Sequence, residues 1–284
     1  MECKVYTLNA FTKNFKGGNP AGVVLQGDLL ADEQMQNISR KVGFSETAFI
    51  QNSSVADYKV RYFTPVEEVD LCGHATIAAF QIIREIVGRE GNYKIETKAG
   101  ILEVVIESES IYLSQALPTF DPVTDLKEIL QSLSIRDTEL NLDLPIEIVS
   151  TGLRDIMIPI RTKEILHSIQ PNFQEIATIS KKYNVIGYHL FTLDNEAATA
   201  SCRNFAPLYD IPEESATGTS NGALTCYLHK HKNIGSGEYV FVQGEEMNQT
   251  SQIFTRLEVN VHGEVEKIEV GGKTGRIQIQ LVEL

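Results

Sequence analysis

Glu46 is the carboxylate whose setting most suggests chemistry. It lies in Gly43-Phe44-Ser45-Glu46-Thr47-Ala48-Phe49-Ile50, where a helical pattern hands over to an apolar strand. A carboxylate drawn into such a strand loses water, and burial raises its pKa toward the working range of a general acid or base. The same residues also read as a Ser–Glu turn with the carboxylate in solvent. A second set of polar side chains opens two apolar helices. Arg61-Tyr62-Phe63-Thr64-Pro65 leads through a short acidic loop to Cys72-Gly73-His74-Ala75-Thr76-Ile77-Ala78-Ala79. Arg203-Asn204-Phe205-Ala206-Pro207 leads through another to Thr217-Gly218-Thr219-Ser220-Asn221-Gly222-Ala223-Leu224.

Each copy is a strand ending R-x-F-x-P, a loop, and a glycine opening a helix. Proline after a strand and glycine before a helix are common punctuation, so coincidence is one reading. The other is a duplication, with two similar halves aiming helix N-termini at one cleft. Backbone N–H groups at a helix start have no intrahelical partner and lie at the positive end of the dipole, which suits an anion. Gly73 and Gly218 would let a ligand approach the backbone, and His74, Thr76, Thr217, Thr219 and Ser220 supply donors. The pattern therefore points to a small carboxylate held by helix ends, with proton transfer by a nearby side chain.

The elements needed to position these groups alternate along the chain. Strand patterns occupy 3–11, 22–26, 47–51, 58–63, 93–97, 102–106 and 111–114, with helices at 30–42 and 74–87. Residues 118–145 read as a loop and a polar helix, the best linker. Strands at 146–150, 155–160, 187–193, 198–205, 237–243, 253–261, 265–270 and 276–282 follow, with helices at 172–183 and 219–231. This is an α/β (α+β) pattern.

Composition narrows the function. Lys and Arg total 25 against 38 Asp and Glu, for a net charge of −13. That field repels nucleic acid and anionic membranes, and no apolar run is long enough to span a bilayer. The basic run His229-Lys230-His231-Lys232 fits the negative end of a helix. Cys3, Cys72, Cys202 and Cys226 are far apart, without zinc-ligand spacing, and the start lacks a signal core, so a cytoplasmic protein with free thiols is expected. No dinucleotide or phosphate-loop motif is present. The expectation is therefore no cofactor and no metal, with side chains as acids and bases. His167, His189 and His262 read as surface or structural, and the acidic-loop residues Glu67, Glu68, Asp70, Asp210, Glu213 and Glu214 mostly as solvated.

GGNPAGVVL (17–25), FSETAFI (44–50), RYFTPVEEVDLCGHATIAAF (61–80) and RNFAPLYDIPEESATGTSNGAL (203–224) resemble the phenazine-biosynthesis isomerase (PhzF-like) family. That family shares its fold with diaminopimelate epimerase. The resemblance implies two pseudo-symmetric domains, each a β-sheet wrapped around a central hydrophobic helix. They would be 1–118 with 273–284, and 119–272, with the active site between them. It further implies a homodimer, with Glu46 moving a proton within a substrate bound by Gly73 and His74, and a substrate-contacting aspartate and serine at the positions of Glu214 and Thr219.

The family run E-D-P-A-T-G-S here reads Glu213-Glu214-Ser215-Ala216-Thr217-Gly218-Thr219, and Asp210 stands where glycine is frequent. Those departures point to a different small carboxylate as substrate. Thiol-based racemases of the same fold place a cysteine in each half. Here Cys72 matches one position, whereas Thr217 occupies the other, which makes Cys72 a packed residue beneath the helix start. An amino-acid racemase or epimerase, and a non-catalytic relative that binds a small anion, remain alternatives.

Overall fold

A computed structural model describes residues 2–284, which divide into two compact units, 2–114 with 271–284 and 115–270. The first contains β1 (Glu2–Ala10), β2 (Asn19–Val24), α1 (Asp32–Val42), β3 (Glu46–Gln51), β4 (Tyr58–Phe63), β5 (Glu68–Val69), α2 (Gly73–Val87), β6 (Gly91–Thr97), β7 (Gly100–Ile106) and β8 (Ile111–Ser114). The second begins with β9 (Thr119–Pro122), α3 (Leu126–Ser132), β10 (Glu147–Ser150), β11 (Arg154–Pro159), α4 (Lys163–Ser168) and α5 (Phe173–Tyr183). It continues with β12 (Gly187–Thr192), β13 (Ala200–Ala206), β14 (Ile211–Glu214), α6 (Gly218–Lys232), β15 (Gly237–Gln243), β16 (Ser251–Val259) and β17 (Val265–Gly272). The last strand, β18 (Gln278–Glu283), returns to the first unit and pairs antiparallel with β1.

The two sheets share one wiring. In the first, β1–β2 is antiparallel, β2–β3 parallel, β3–β4 antiparallel, β4–β6 parallel and β6–β7 antiparallel. The second repeats it as β10–β11, β11–β12, β12–β13, β13–β15 and β15–β16. Even the flanking strand recurs, β18 beside β1 and β9 beside β10. The expected α/β class with two similar sheet-and-helix halves is what the chain forms.

The central helices are buried on every face over most of their length because sheet surrounds them. In α2 every residue from His74 to Ile83 is buried, and in α6 every residue from Ser220 to Leu228. Phe80 of α2 makes edge contacts with Tyr58 of β4 and Tyr93 of β6 at ring separations of 5.9 and 5.7 Å. Burying such a ring stabilises the fold by about 1.5–3 kcal/mol. The outer helices instead carry one apolar stripe. Met35 and Ile38 of α1 pack with Val5, Val24, Phe49, Phe63 and Val282, and Gly43 ends the helix in the left-handed region at φ 74°.

Two expectations change. Residues 118–145 are no linker: β9 pairs with β10, and Ile129, Leu133 and Leu140 enter the core of the second unit. Pro118 and Pro122 hid the strand, since proline is tolerated only at strand ends and edges. The six-residue α4 was not legible either. Its signal is Thr162, whose hydroxyl accepts from the Ile165 N–H at 3.3 Å. Among the described residues, no helix is long and apolar enough to cross a membrane.

Candidate active site

Strand register places Glu46. Ala21 of β2 faces Glu46, and two residues on Ala48 faces Tyr62 of β4. Alternation puts Glu46 and Ala48 on one face of β3. That face looks toward α2, because the Tyr62 hydroxyl lies 2.6 Å from Thr76 Oγ1. Thr76 in turn donates to the Cys72 carbonyl at 2.7 Å, which ties the start of α2 to the sheet. No side chain caps α2, whose N-cap residue is Cys72. A methyl group placed on Gly73 would meet nothing within 4 Å, so the helix start is open there.

Glu46, Cys72 and His74 converge at this mouth. His74 Nε2 lies 3.2 Å from Glu46 Oε2 and 3.4 Å from Ser45 Oγ. On its other side, Nδ1 lies 3.4 Å from both Cys72 Sγ and the Asn19 side-chain amide. Cys72, His74 and Asn19 are buried, and the Glu46 side chain is 17% exposed. The expected upward shift of Glu46 is reversed. Burial alone pushes its carboxyl up, but the His74 charge and hydrogen bonds from His74, Ser45 and Cys72 outweigh it, leaving the pKa below the usual 4.5. His74 responds in kind. Burial disfavours its cation, yet Cys72 and Glu46 together hold it well above 6.5. The two form a carboxylate–imidazolium pair, a base beside a cationic donor. The Cys72 thiol is pushed up to about 11, chiefly by burial and the Glu46 charge.

The mouth of α6 has other chemistry. Thr217 donates to Glu214 Oε2 at 2.5 Å and accepts from Gln243 Nε2 at 2.9 Å. Gln243 Oε1 accepts from the Thr217 N–H and from Asn221 Nδ2, and its Nε2 also donates to the Glu214 carbonyl. Gly218 and Thr219 are half-buried beside it. Behind them Ser220 donates to Asp155 Oδ2 at 2.5 Å and accepts from Asn204. Burial pushes the Asp155 carboxyl up to about 6 and holds His189 neutral, near 3. Asp210, at the position where glycine is frequent, has φ 60°, a left-handed conformation that aspartate tolerates.

Of the residues expected from the sequence, Glu46, Gly73 and His74 gather at the first mouth, and Glu214, Gly218 and Thr219 at the second. Asn19, Ser45 and Gln243 were not foreseen. Cys72 is more than packing, since its sulfur touches the His74 ring. Two of the acidic-loop carboxylates are not solvated: Glu68 and Glu213 each bind an arginine through two hydrogen bonds, from Arg61 and Arg203 respectively. Each arginine also lies over the phenylalanine two residues on, Phe63 or Phe205. The R-x-F repeat is thus a repeated contact set.

The model of the phenazine biosynthesis-like protein family, PhzC-PhzF, matches residues 8–277. The chain belongs to that family. It is 34% identical over 281 residues to a Bacillus subtilis (strain 168) protein named "Uncharacterized isomerase YfhB", covering 95% of each chain. It is 24% identical over 272 residues to the trans-2,3-dihydro-3-hydroxyanthranilate isomerase of Pseudomonas aeruginosa, covering 93% of this chain and 94% of that one. A crystal structure of the Bacillus anthracis phenazine biosynthesis protein, PhzF family, superposes with a TM-score of 0.92 at 30% identity over all of both chains. As a member of this isomerase family, the chain is an enzyme of that class.

Proposed function

We propose that this PhzF-family isomerase moves a proton within a small carboxylate without a cofactor, with Glu46 as the acid–base residue. The observation that carries this is the buried Glu46–His74 pair at the open start of α2. Glu46, already ionised, takes the proton from an acidic C–H and becomes a carboxylic acid. The electron pair passes into the conjugated system, and the developing negative charge is met by the His74 imidazolium and by N–H groups of the first turn of α2. Glu46 then returns the same proton to a different carbon, so the double bond shifts and nothing is consumed. Glu214, Gly218 and Thr219 supply further substrate contacts in this reading, and the longer Glu214 side chain selects a substrate other than that of the phenazine enzymes. The reading also takes the enzyme as a cytoplasmic homodimer, which sedimentation of the purified protein tests.

The test is deuterium uptake from solvent, followed by NMR across a panel of small carboxylates that includes trans-2,3-dihydro-3-hydroxyanthranilate. Wild-type protein exchanges and shifts the double bond of its substrate, and Glu46→Gln does neither. Full exchange by Glu46→Gln overturns the assignment. One observation favours a second reading, a racemase using Cys72: its sulfur sits 3.4 Å from His74 Nδ1. In that case Cys72→Ser abolishes turnover, whereas the glutamate reading leaves it largely intact.

A further inference from the structure

We propose that the tip of the hairpin joining β1 to β2, Lys13-Asn14-Phe15-Lys16, is a specificity element of the first helix mouth: the Phe15 ring covers the bound carboxylate substrate and the two ammonium groups attract it. This rests on the reading of that mouth as a carboxylate site. The two units differ here. The second closes its matching hairpin, β10 to β11, with residues 151–153 between the paired Ser150 and Arg154. The first uses a much longer loop, residues 11–18, between the paired Ala10 and Asn19. The longer loop belongs to the unit that carries Glu46 and His74, and it lies at the same end of the sheet. Asn19, where the loop re-enters β2, has its amide 3.4 Å from His74 Nδ1, and Ala21 two residues on pairs with Glu46. From Phe15 to Asn19 the chain spans at most about 14 Å.

The tip is built against local preference. Lys13 and Lys16 exchange backbone hydrogen bonds at 2.9 and 3.1 Å, which leaves Asn14 and Phe15 as the two turn residues. Both are left-handed, at φ 52° and 63°. A two-residue turn with positive φ at both positions favours Asn–Gly. Here the asparagine is present, but phenylalanine stands where glycine fits. A bulky side chain is strained in that conformation, and this ring is also 74% exposed. Strain and exposure together, with no packing in return, mark a position kept for what it touches. The base of the loop is fixed, by contrast. Asn9 Nδ2 donates to the Gly17 carbonyl at 2.7 Å, and the Thr12 N–H to the Lys273 carbonyl at 3.0 Å. The ring is therefore presented on a braced stalk. Among the described residues, Lys13 and Lys16 form no ion pair. In a chain of net charge −13, two free ammonium groups here give an anionic substrate a local field of the right sign.

The chain contains no tryptophan, so Phe15→Trp makes the tip the sole indole of the full-length protein. This variant is titrated with the panel of small carboxylates that includes trans-2,3-dihydro-3-hydroxyanthranilate, with binding measured independently by calorimetry. A carboxylate that binds should shift the indole emission to the blue and reduce its quenching by acrylamide several-fold. Phe15→Gly should raise the melting temperature by about 1–3 °C, because glycine fits the turn, yet weaken binding of the same carboxylate roughly 10-fold. Lys16→Gln should weaken it too, more at low salt than at high. A carboxylate that binds while the indole emission stays unchanged, or normal binding by Phe15→Gly, overturns the proposal and leaves the Glu46 reading intact. Full exchange by Glu46→Gln overturns that reading alone, and no binding by any member of the panel overturns both. Emission that turns blue with protein concentration instead of with ligand assigns the ring to a contact between copies of the chain, which also overturns the proposal.

Discussion

The two helix mouths are built on one plan and furnished differently. Counting from the shared arginines, Glu46 of β3 corresponds to Gly187 of β12, since each lies two residues before the partner of the residue following the arginine. Cys72, Gly73 and His74 correspond to Thr217, Gly218 and Thr219. The first mouth thus carries three titratable groups in contact, and at the same positions the second carries a glycine and two hydroxyls. The second keeps its carboxylates elsewhere: Glu214 bonded to Thr217, and Asp155 bonded to Ser220 at positions where the first unit has the buried alanines Ala21 and Ala75. On the proposed function, proton transfer belongs to one half, and the other offers hydroxyl and amide groups backed by a buried network. A duplicated fold does not imply a duplicated reaction.

The comparison breaks if the two glutamates matter equally. Glu46→Gln is expected to lower the exchange rate by roughly 10²–10⁴, the usual contribution of a positioned general base. Glu214→Gln, which still accepts from Thr217, should cost far less, and comparable losses in both would refute the asymmetry. The wild-type pH profile sharpens it further. Glu46 is held below 4.5 and His74 well above 6.5, so the carboxylate–imidazolium form spans that whole interval. Rates should stay level between these pH values, falling only outside them.

The paired arginines give the next largest difference. Arg203 is buried and also donates to the carbonyls of Leu166 and Ile169, whereas Arg61 reaches the exposed Asp32. Arg203→Met leaves Glu213 half-buried without its partner and should cost about 3–5 kcal/mol by denaturant unfolding. Arg61→Met, nearer to solvent, should cost about 1 kcal/mol. The raised pKa of Asp155 makes a prediction with a definite sign. Its folded pKa of about 6 exceeds the ordinary 3.8, so the folded state holds the proton more tightly. Asp155's own contribution to stability is therefore greatest below pH 4 and falls as the pH rises through 6, by roughly 3 kcal/mol. Asp155→Asn removes that slope, which chemical denaturation at a series of pH values measures. Gly187→Ala should also destabilise: the added carbon would lie 1.9 Å from the Phe205 carbonyl oxygen, and the forced backbone shift should cost about 1–3 kcal/mol or more.

Periodicity and turn residues made much of the fold legible. The strand at 237–243 is observed as Gly237–Gln243, and the helix at 219–231 as Gly218–Lys232, because apolar spacing and a left-handed Asn233 mark their limits. The pieces it missed are short. β5 and β14 have two and four residues and hide within acidic loops, where the Arg–Glu pairs hold them in place. At the site, residue types identified Glu46 and His74, but the direction of the Glu46 shift was not readable. It depends on a cation 28 positions away in the chain being 3.2 Å away in space. Asn19, Ser45 and Gln243 escaped for the same reason: an amide or hydroxyl has no distinctive spacing, and its partner is set by register.

The carbonyl that crowds Gly187 also limits how this enzyme can change. A side chain cannot replace Gly187 without moving the strand, because the backbone of β13 occupies the volume it would need. The helix cap is less constrained, since the Thr217 side chain is half-buried and donates to the Glu214 carboxylate.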